Sequence, residues 1–229
     1  MADNIARVFA DAIASDPTRP LLTWYDDASG DRTELSGVTL ANWVAKTANL
    51  LVDGAGLAPG DPAGVLLPPH WQTAAVLLGC WSAKLNVLDA PDEVDVLFVA
   101  ADRVDEAQSS AAGERYALGL SPLALPLRQV PSGFGDYVVE VRAHGDHFTP
   151  RTGPGPDDAA LLTRAQARAT ELGITRGARL LVDAARYPDP VDWLLAPLTQ
   201  AASVVLCANL DPARLTGRVT TEQVTHPLP

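Results

Sequence analysis

The chain has 229 residues, 47% of them hydrophobic, and a formal net charge of −11. This length is enough to bury a substantial core, as one large domain or two small ones. Nucleic-acid binding needs clustered lysine and arginine, whereas the only lysines here are Lys46 and Lys84 and the arginines are scattered. The charge therefore argues against a nucleic-acid partner.

Several features predict a soluble, cytoplasmic protein. Cys80 and Cys207 lie in apolar runs, as buried free thiols in a reducing compartment do, and neither has zinc-ligand spacing. Asp3, Arg7 and Asp11 interrupt the pattern that a signal peptide would need. No apolar run approaches the ~20 residues that span a bilayer, so we expect no membrane span. The Ala- and Arg-rich, Lys-poor composition is typical of bacteria with GC-rich DNA.

Helix and strand patterns alternate through the first hundred residues. Asn4 caps the first helix, Asp16-Pro17 ends it, and Thr39 caps the second helix. Further elements are predicted as strands at 21–25 and 32–35 joined in a hairpin, a strand at 65–67, a helix at 71–83, and strands at 86–88 and 94–100 separated by a turn at 90–92.

The second half of the chain gives weaker signals at first. The patterns favour a helix at 107–115, a strand at 137–142, a Gly- and Pro-rich loop to 156, a helix capped by Asp157 or Asp158, a strand at 179–183, a helix at 191–200 and a buried strand at 203–208. Alternating strands and helices predict an α/β fold with a mostly parallel sheet flanked by helices. We expect a single domain over 1–210, with a possible subdivision near 102–156, and a polar, partly frayed tail at 211–229.

Residues 35–88 resemble the opening of adenylate-forming (AMP-binding) enzymes, the acyl-CoA synthetase superfamily. The shared features are a hairpin, a helix, the turn Gly-Leu-Ala-Pro-Gly-Asp at 56–61, and the strand Gly-Val-Leu-Leu-Pro at 64–68. Residues 172–181 and 197–206 resemble the segments that surround the substrate pocket of that family. The resemblance implies the fold of its N-terminal subdomains.

The family's phosphate-binding loop has no counterpart in this chain. In the family, an Asp-x-Ala strand leads into a Ser/Thr/Gly-rich loop ending in lysine, which wraps the ATP phosphates. Here residues 157–162, readable as that strand or as the first turns of a helix, run straight into 163–167, which resemble the family's next helix. The chain also ends before the adenine-binding motifs and the domain that carries the catalytic lysine. We therefore expect a short, truncated relative without adenylation activity, catalytic residues, cofactor or metal.

Other polar groups support no chemistry by themselves. His144 and His147 lack the further ligands of a closed metal site, and proline removes N–H donors from the Gly-Pro repeat at 153–156. In the family, a histidine precedes the pocket helix, but here Tyr-Pro-Asp-Pro stands at 187–190. By resemblance, Tyr187 and Trp193 lie near the family's acyl or aryl pocket, so they are candidates to line a site for a small acid.

Three functional hypotheses follow. The first is a non-catalytic remnant, a pseudoenzyme, that acts as an interaction or regulatory protein and forms homodimers or binds a protein partner, because missing elements would leave sheet edges or apolar faces uncovered. The second is a small carboxylate- or acyl-binding protein. The third is an acyl-CoA synthetase-like enzyme that needs a partner chain to supply the phosphate loop.

Overall fold

The computed structural model describes residues 4–89, 93–108 and 110–228, so the turn predicted at 90–92 lies outside the described residues. The chain divides into two compact units. Unit 1 comprises residues 1–40, 69–71 and 158–229, and unit 2 comprises 41–68 and 72–157. Each unit contains a five-stranded sheet, which confirms the α/β fold class. The expected single domain over 1–210 stays a prediction.

The elements follow one another in this order: α1 (Ile5–Ile13), β1 (Pro20–Asp26), β2 (Asp31–Ser36), α2 (Gly37–Asn49), a π-helical turn (Leu50–Gly54), β3 (Pro62–Leu66), α3 (Trp71–Ala83), β4 (Asn86–Leu88), β5 (Glu93–Ala100), a 3-10 helix (Ala101–Ala107), β6 (Ala111–Leu118), β7 (Gly135–Asp136), α4 (Tyr137–Arg142), α5 (Asp158–Glu171), β8 (Arg179–Asp183), a π-helical turn (Val191–Leu195), α6 (Ala196–Thr199), β9 (Ser203–Ala208), a 3-10 turn (Pro212–Arg214), α7 (Leu215–Thr221) and β10 (His226–Leu228).

The sheet of unit 1 has the strand order β10-β8-β9-β1-β2. Only the β1–β2 hairpin is antiparallel, and its register pairs Trp24 with Thr33. Strands β8 and β9 are apolar in their interiors, at 180–182 and 204–207, as expected of parallel strands covered on both faces. One face packs its apolar side chains Leu181, Val205 and Cys207 against α7 and the segments flanking it.

The sheet of unit 2 has the order β4-β3-β5-β6-β7 and is parallel throughout. Its central strand β5 buries Leu97, Phe98 and Val99 completely. The ring of Phe98 stacks on Tyr116 and meets the edge of Tyr137. Together the two sheets confirm the prediction of mostly parallel strands flanked by helices.

Helix starts depend on side-chain caps. The Asn4 carboxamide oxygen accepts a hydrogen bond from the Arg7 amide at 2.7 Å, as predicted for α1. For α2 the cap is Ser36, whose hydroxyl accepts from the Thr39 amide at 3.2 Å, so the prediction of Thr39 as the cap is wrong by three residues. The chain leaves the hairpin directly into the helix at Gly37.

Two weak predictions in unit 2 are wrong. Strand β6 occupies most of the helix expected at 107–115, because it pairs with β5 along its whole length. Helix α4 replaces the strand expected at 137–142. Its cap is Asp136, whose carboxylate accepts from the Val138 amide at 2.9 Å, and Val138 and Val141 are buried at helical spacing while Val139 is exposed.

The described residues from Asp211 to Leu228 contain regular secondary structure. They form α7 and the edge strand β10, which pairs in parallel with β8. Leu215, Val219 and Val224 pack on the sheet of unit 1. Two polar residues of this segment, Arg218 and Glu222, are buried as well.

Close packing of α2 on α3 gives a first testable expectation. A Cβ added at Gly79 would lie 2.6 Å from Cγ2 of Thr47, so Gly79→Ala forces a side chain or a helix to move. We expect the free energy of unfolding in urea to fall by about 1–3 kcal/mol. The matched control is Gly217→Ala in α7, where a Cβ would meet nothing within 4 Å. There we expect no loss, and a gain of up to ~1 kcal/mol from higher helix propensity. Equal effects of the two substitutions would contradict the packing.

Candidate functional site

The segment at which the family's phosphate loop would begin is a helix in this chain. Residues 157–162, left open between strand and helix by the sequence, enter α5 at Asp158, and residues 163–169 lie in the middle of that helix. The Thr163 hydroxyl donates to the Ala159 carbonyl at 2.8 Å, one turn back. Backbone N–H groups in a helix interior are used by the helix itself, so 163–169 cannot present them to a phosphate.

Both lysines are held within unit 2. The Lys46 ammonium donates to the His144 carbonyl at 2.6 Å. Lys84 follows α3, is 3% exposed, and has a φ of +67°. The neighbouring loop is tied down as well, because the Asn49 side-chain amide donates to the carbonyls of Gly145 and His147 at 2.8 and 2.9 Å.

The residues from 4 to 228 that the structure describes contain no cluster of three or more metal-binding side chains. In the same residues, no helix is both long and apolar enough to cross a membrane.

Tyr187 and Trp193 differ in their burial and in their surroundings. Trp193 lies in the π-helical turn Val191–Leu195 and is 1% exposed. Tyr187 is half-buried, with the Arg186 guanidinium 5.6 Å from the centre of its ring. Their shared role in an acid-binding pocket stays a prediction.

His70 and the two cysteines are structural in their surroundings. His70 directly precedes α3, and its ring lies 4.4 Å from that of Trp24 with the planes at 70°. Burial lowers the pKa of His70 to about 3, so the imidazole stays neutral near pH 7. Burial likewise raises the pKa of Cys80 to about 12 and that of Cys207 to about 11, which leaves neither thiol reactive.

A dense polar arrangement lies on the face of the unit 1 sheet that packs against α7. Side chains alternate between the faces of a strand, so Tyr25 of β1 shares this face with its cross-strand partner Arg32 and with Glu34 of β2. Arg179 begins β8, and Glu222 directly follows α7. These five residues, here called the Glu222 network, were not identified from the sequence.

Glu222 is the centre of this network, and its side chain is 5% exposed. Its Oε1 accepts from the Tyr25 hydroxyl at 2.6 Å and from Arg32 Nε and Nη2 at 3.1 and 3.0 Å. Its Oε2 accepts from Arg179 Nη2 at 2.6 Å, and Arg179 Nε also donates to the Glu222 carbonyl at 2.6 Å. Arg32 Nη2 reaches Glu34 at 2.6 Å.

The protonation of the network follows from these contacts. Desolvation by burial raises the pKa of Glu222, but hydrogen bonds from Tyr25, Arg179 and Arg32 outweigh it, so the pKa of Glu222 lies below its usual value. The pKa of Tyr25 is raised, first by burial and then by its bond to the carboxylate. Near pH 7 Glu222 is therefore a carboxylate and Tyr25 a neutral phenol.

A second ion pair joins α7 to Asp27. Arg218 donates two hydrogen bonds to the Asp27 carboxylate, from Nη2 to Oδ1 at 2.5 Å and from Nη1 to Oδ2 at 3.0 Å. The Asp211 amide also donates to Asp27 Oδ2 at 2.8 Å. The Arg218 guanidinium lies 4.0 Å from the centre of the Tyr25 ring, which links this pair to the Glu222 network.

A cavity of about 630 Å³ lies beside the Glu222 network, within unit 1. It is lined by Arg19, Pro20, Tyr25, Arg32, Glu34, Gly177, Arg179, Ser203, Thr221, Glu222 and Gln223. Three of these residues are basic and two are acidic, and the Asp16 carboxylate interacts with the third base, Arg19, so the charges around the cavity are balanced. The alternation of Arg32 and Glu34 in a predicted strand was a signal for a polar sheet face. No local pattern linked that face to Glu222.

Comparisons with known proteins identify one close relative. A TIGR03089 family protein of Mycobacterium tuberculosis is 43% identical over 228 residues, with 94% of each chain covered. No protein-family model matches the chain.

Solved structures show where the same fold occurs. The Brucella canis acyl-CoA synthetase has a TM-score of 0.77 at 17% identity, over 98% of this chain and 46% of its own. An anthranilate CoA ligase, AuaEII, in complex with anthranoyl-AMP, gives 0.70 at 13%, over 94% and 46%. The N-terminal domain of FACL13 from Mycobacterium tuberculosis gives 0.66 at 12%, over 97% and 62%. The chain thus spans about half the length of the synthetase and the ligase, and the predicted resemblance is confirmed at the level of the fold.

Proposed function

Because this chain belongs to the TIGR03089 family and has the fold of the N-terminal part of acyl-CoA synthetases, we propose that it binds a partner without adenylating a substrate. In this proposal it is an interaction or regulatory protein that keeps the scaffold of an adenylate-forming enzyme. Its natural partner is a second copy of the chain or another protein.

The position of α5 is the observation that supports this proposal. ATP carries about four negative charges, which need backbone N–H groups and cationic side chains once water is removed. Here helix α5 occupies the segment where the resemblance places the phosphate loop, and its first turn carries the acidic Asp158. A carboxylate at a helix N-terminus offsets the positive end of the helix dipole, which weakens any attraction for phosphate.

Pyrophosphate exchange tests the absence of adenylation directly. We expect no incorporation of labelled pyrophosphate into ATP above a protein-free blank, with any of a panel of acyl and aryl acids. An active acyl-CoA synthetase in the same assay serves as the positive control. Exchange that depends on both an acid and this chain would contradict the proposal. Exchange that appears only after adding cell lysate would favour a partner-dependent enzyme instead.

Exposed apolar side chains in unit 2 support the interaction role. Leu123 and Leu125 are 72% and 59% exposed in the segment between β6 and β7, and Val130 and Val139 are exposed as well. Three of these four side chains lie in that one segment, and exposed apolar groups can contribute to protein contacts. We expect light scattering to give the mass of a homodimer, twice 24.1 kDa. A monomer over a hundredfold range of concentration would contradict homodimerisation.

A further inference from the structure

We propose that two copies of the chain associate through a surface of unit 2 that combines the segment between β6 and β7 with α4. Its exposed apolar side chains are Leu123, Leu125, Val130 and Val139, here called the Leu125 patch. This inference rests on the proposed function, which gives the chain a partner, and it names the surface that a second copy recognises. The patch lies wholly within unit 2.

Two side chains of α4 place Val139 beside the segment between β6 and β7. Asp136, the cap of α4, accepts a hydrogen bond from the Leu127 amide at 2.6 Å, and Arg142 Nη2 donates to the Ala124 carbonyl at 2.9 Å. Residues three apart lie on one face of a helix, so Val139 lies between Asp136 and Arg142 on the face that meets this segment. The helix and the segment that it holds therefore present their exposed apolar side chains on one surface.

The backbone of this segment is fixed in one shape. Besides the bonds to α4, Gln72 Nε2 donates to the Ser121 carbonyl at 3.1 Å. Leu120 and Ala124 have φ values of +49° and +50°, in the left-handed region, which residues other than glycine keep only where their surroundings impose it. A surface that already has its bound shape loses little conformational entropy on association. The exposed leucines therefore belong to a preorganised surface.

Charge and size select a second copy as the occupant of the Leu125 patch. The chain has a net charge of −11, which keeps copies apart wherever their acidic residues meet. Residues 115–135 contain two arginines and no aspartate or glutamate, and α4 adds Glu140 and Arg142. A basic partner would be attracted to the acidic remainder of the chain instead. Residues 119–142 also match one side of a standard interface, which takes roughly 20–30 residues. Two copies that share this surface across a two-fold axis therefore bury apolar groups while most of their acidic residues stay apart.

Analytical ultracentrifugation of the full chain tests this surface with Val139→Glu and, as the matched control, Val38→Glu. Both valines are exposed, at 51% and 43%, and both lie in the first turn of a helix, but Val38 belongs to unit 1. We expect Val139→Glu to raise the Kd of the homodimer at least ~30-fold, as the loss of a central interface residue does, and Leu125→Glu to do the same. Val38→Glu should leave the Kd unchanged. An unchanged Kd in either patch variant, or an equal rise in all three, would overturn the proposal.

Ionic strength provides a second readout of the same contact. Salt screens the repulsion between two copies of like charge, so we expect the Kd of the native homodimer to fall as sodium chloride is added. A Kd that rises with salt would mean that ion pairs hold the two copies together, and it would overturn the proposal.

The outcomes separate this inference from the proposed function. A native chain that stays monomeric, or a homodimer that the patch variants leave intact, would overturn the Leu125 patch as the contact between copies and leave binding without adenylation in place. Pyrophosphate exchange by a chain whose homodimer the patch variants dissociate would overturn the proposed function and leave the patch in place.

Discussion

Asp27→Asn is expected to lower the free energy of unfolding by about 3 kcal/mol, measured by urea denaturation at pH 7. The Asp27 and Arg218 side chains are 2% and 6% exposed, so removing one charge leaves the other buried without its counter-charge. Asparagine has nearly the same shape, and the loss will therefore report charge rather than a cavity. Because the pair fastens α7, the variant should also expose 211–228 to proteolysis first.

The matched control for this expectation is Asp11→Asn. Asp11 forms an ion pair with Arg7 at 3.9 Å in which both side chains are about two-thirds exposed. Such a pair contributes less than ~1 kcal/mol, so the control should unfold almost as the native chain does. Comparable losses of unfolding free energy in Asp11→Asn and Asp27→Asn would show that the burial of the Asp27–Arg218 pair has no energetic consequence.

The pH dependence of the Asp27 contribution has a definite sign. Hydrogen bonds from Arg218 hold the pKa of Asp27 below its usual 3.8, in spite of the opposing effect of burial. A lowered folded-state pKa adds stability above pH 3.8, and that stability is lost as the pH falls through the folded value. The difference in the free energy of unfolding between the native chain and the Asp27→Asn variant should therefore be constant from pH 7 to about 5 and should decrease at lower pH.

Elements with a clear periodicity of hydrophobic residues could be predicted from the sequence. The hairpin, the helix at 71–83 and the strand at 179–183 have the predicted bounds or nearly so. The predictions failed where a local cap or a distant partner decides the structure. The cluster of valines at 138–141 favours a strand by propensity, yet the Asp136 cap and burial at helical spacing make it α4.

The Glu222 network could not be predicted for a related reason. Tyr25 and Glu222 are 197 residues apart, and their contact depends on how α7 lies on the sheet. From the sequence alone, Arg218 and Glu222 resemble residues of a solvent-exposed tail. A polar residue that is paired inside the protein cannot be told from an exposed one by its residue type. A polar residue can be assigned to the interior only after the partner that neutralises it is known.

Glu222→Gln is expected to lower the free energy of unfolding by about 2–4 kcal/mol, because it removes the carboxylate shared by Arg32 and Arg179. Arg179, whose side chain is 16% exposed, then lacks its counter-charge, and the end of α7 loses the ion pairs that join it to β2 and β8. The comparison is Glu171→Gln, in an exposed pair with Arg168, where a change below ~0.5 kcal/mol is expected.

At low pH, the difference in the free energy of unfolding between the native chain and the Glu222→Gln variant should disappear. The folded-state pKa of Glu222 lies below 4.5, so its contribution is complete above pH 4.5 and disappears as the pH falls through the folded value. Urea denaturation of both proteins at pH 7 and near pH 3 measures this directly. A gap that stays constant into acid would mean that Glu222 acts through its shape and hydrogen bonds alone. A difference that disappears would mean that the negative charge of Glu222 holds α7 in place, and would identify the network as the electrostatic attachment of α7 to the sheet of unit 1.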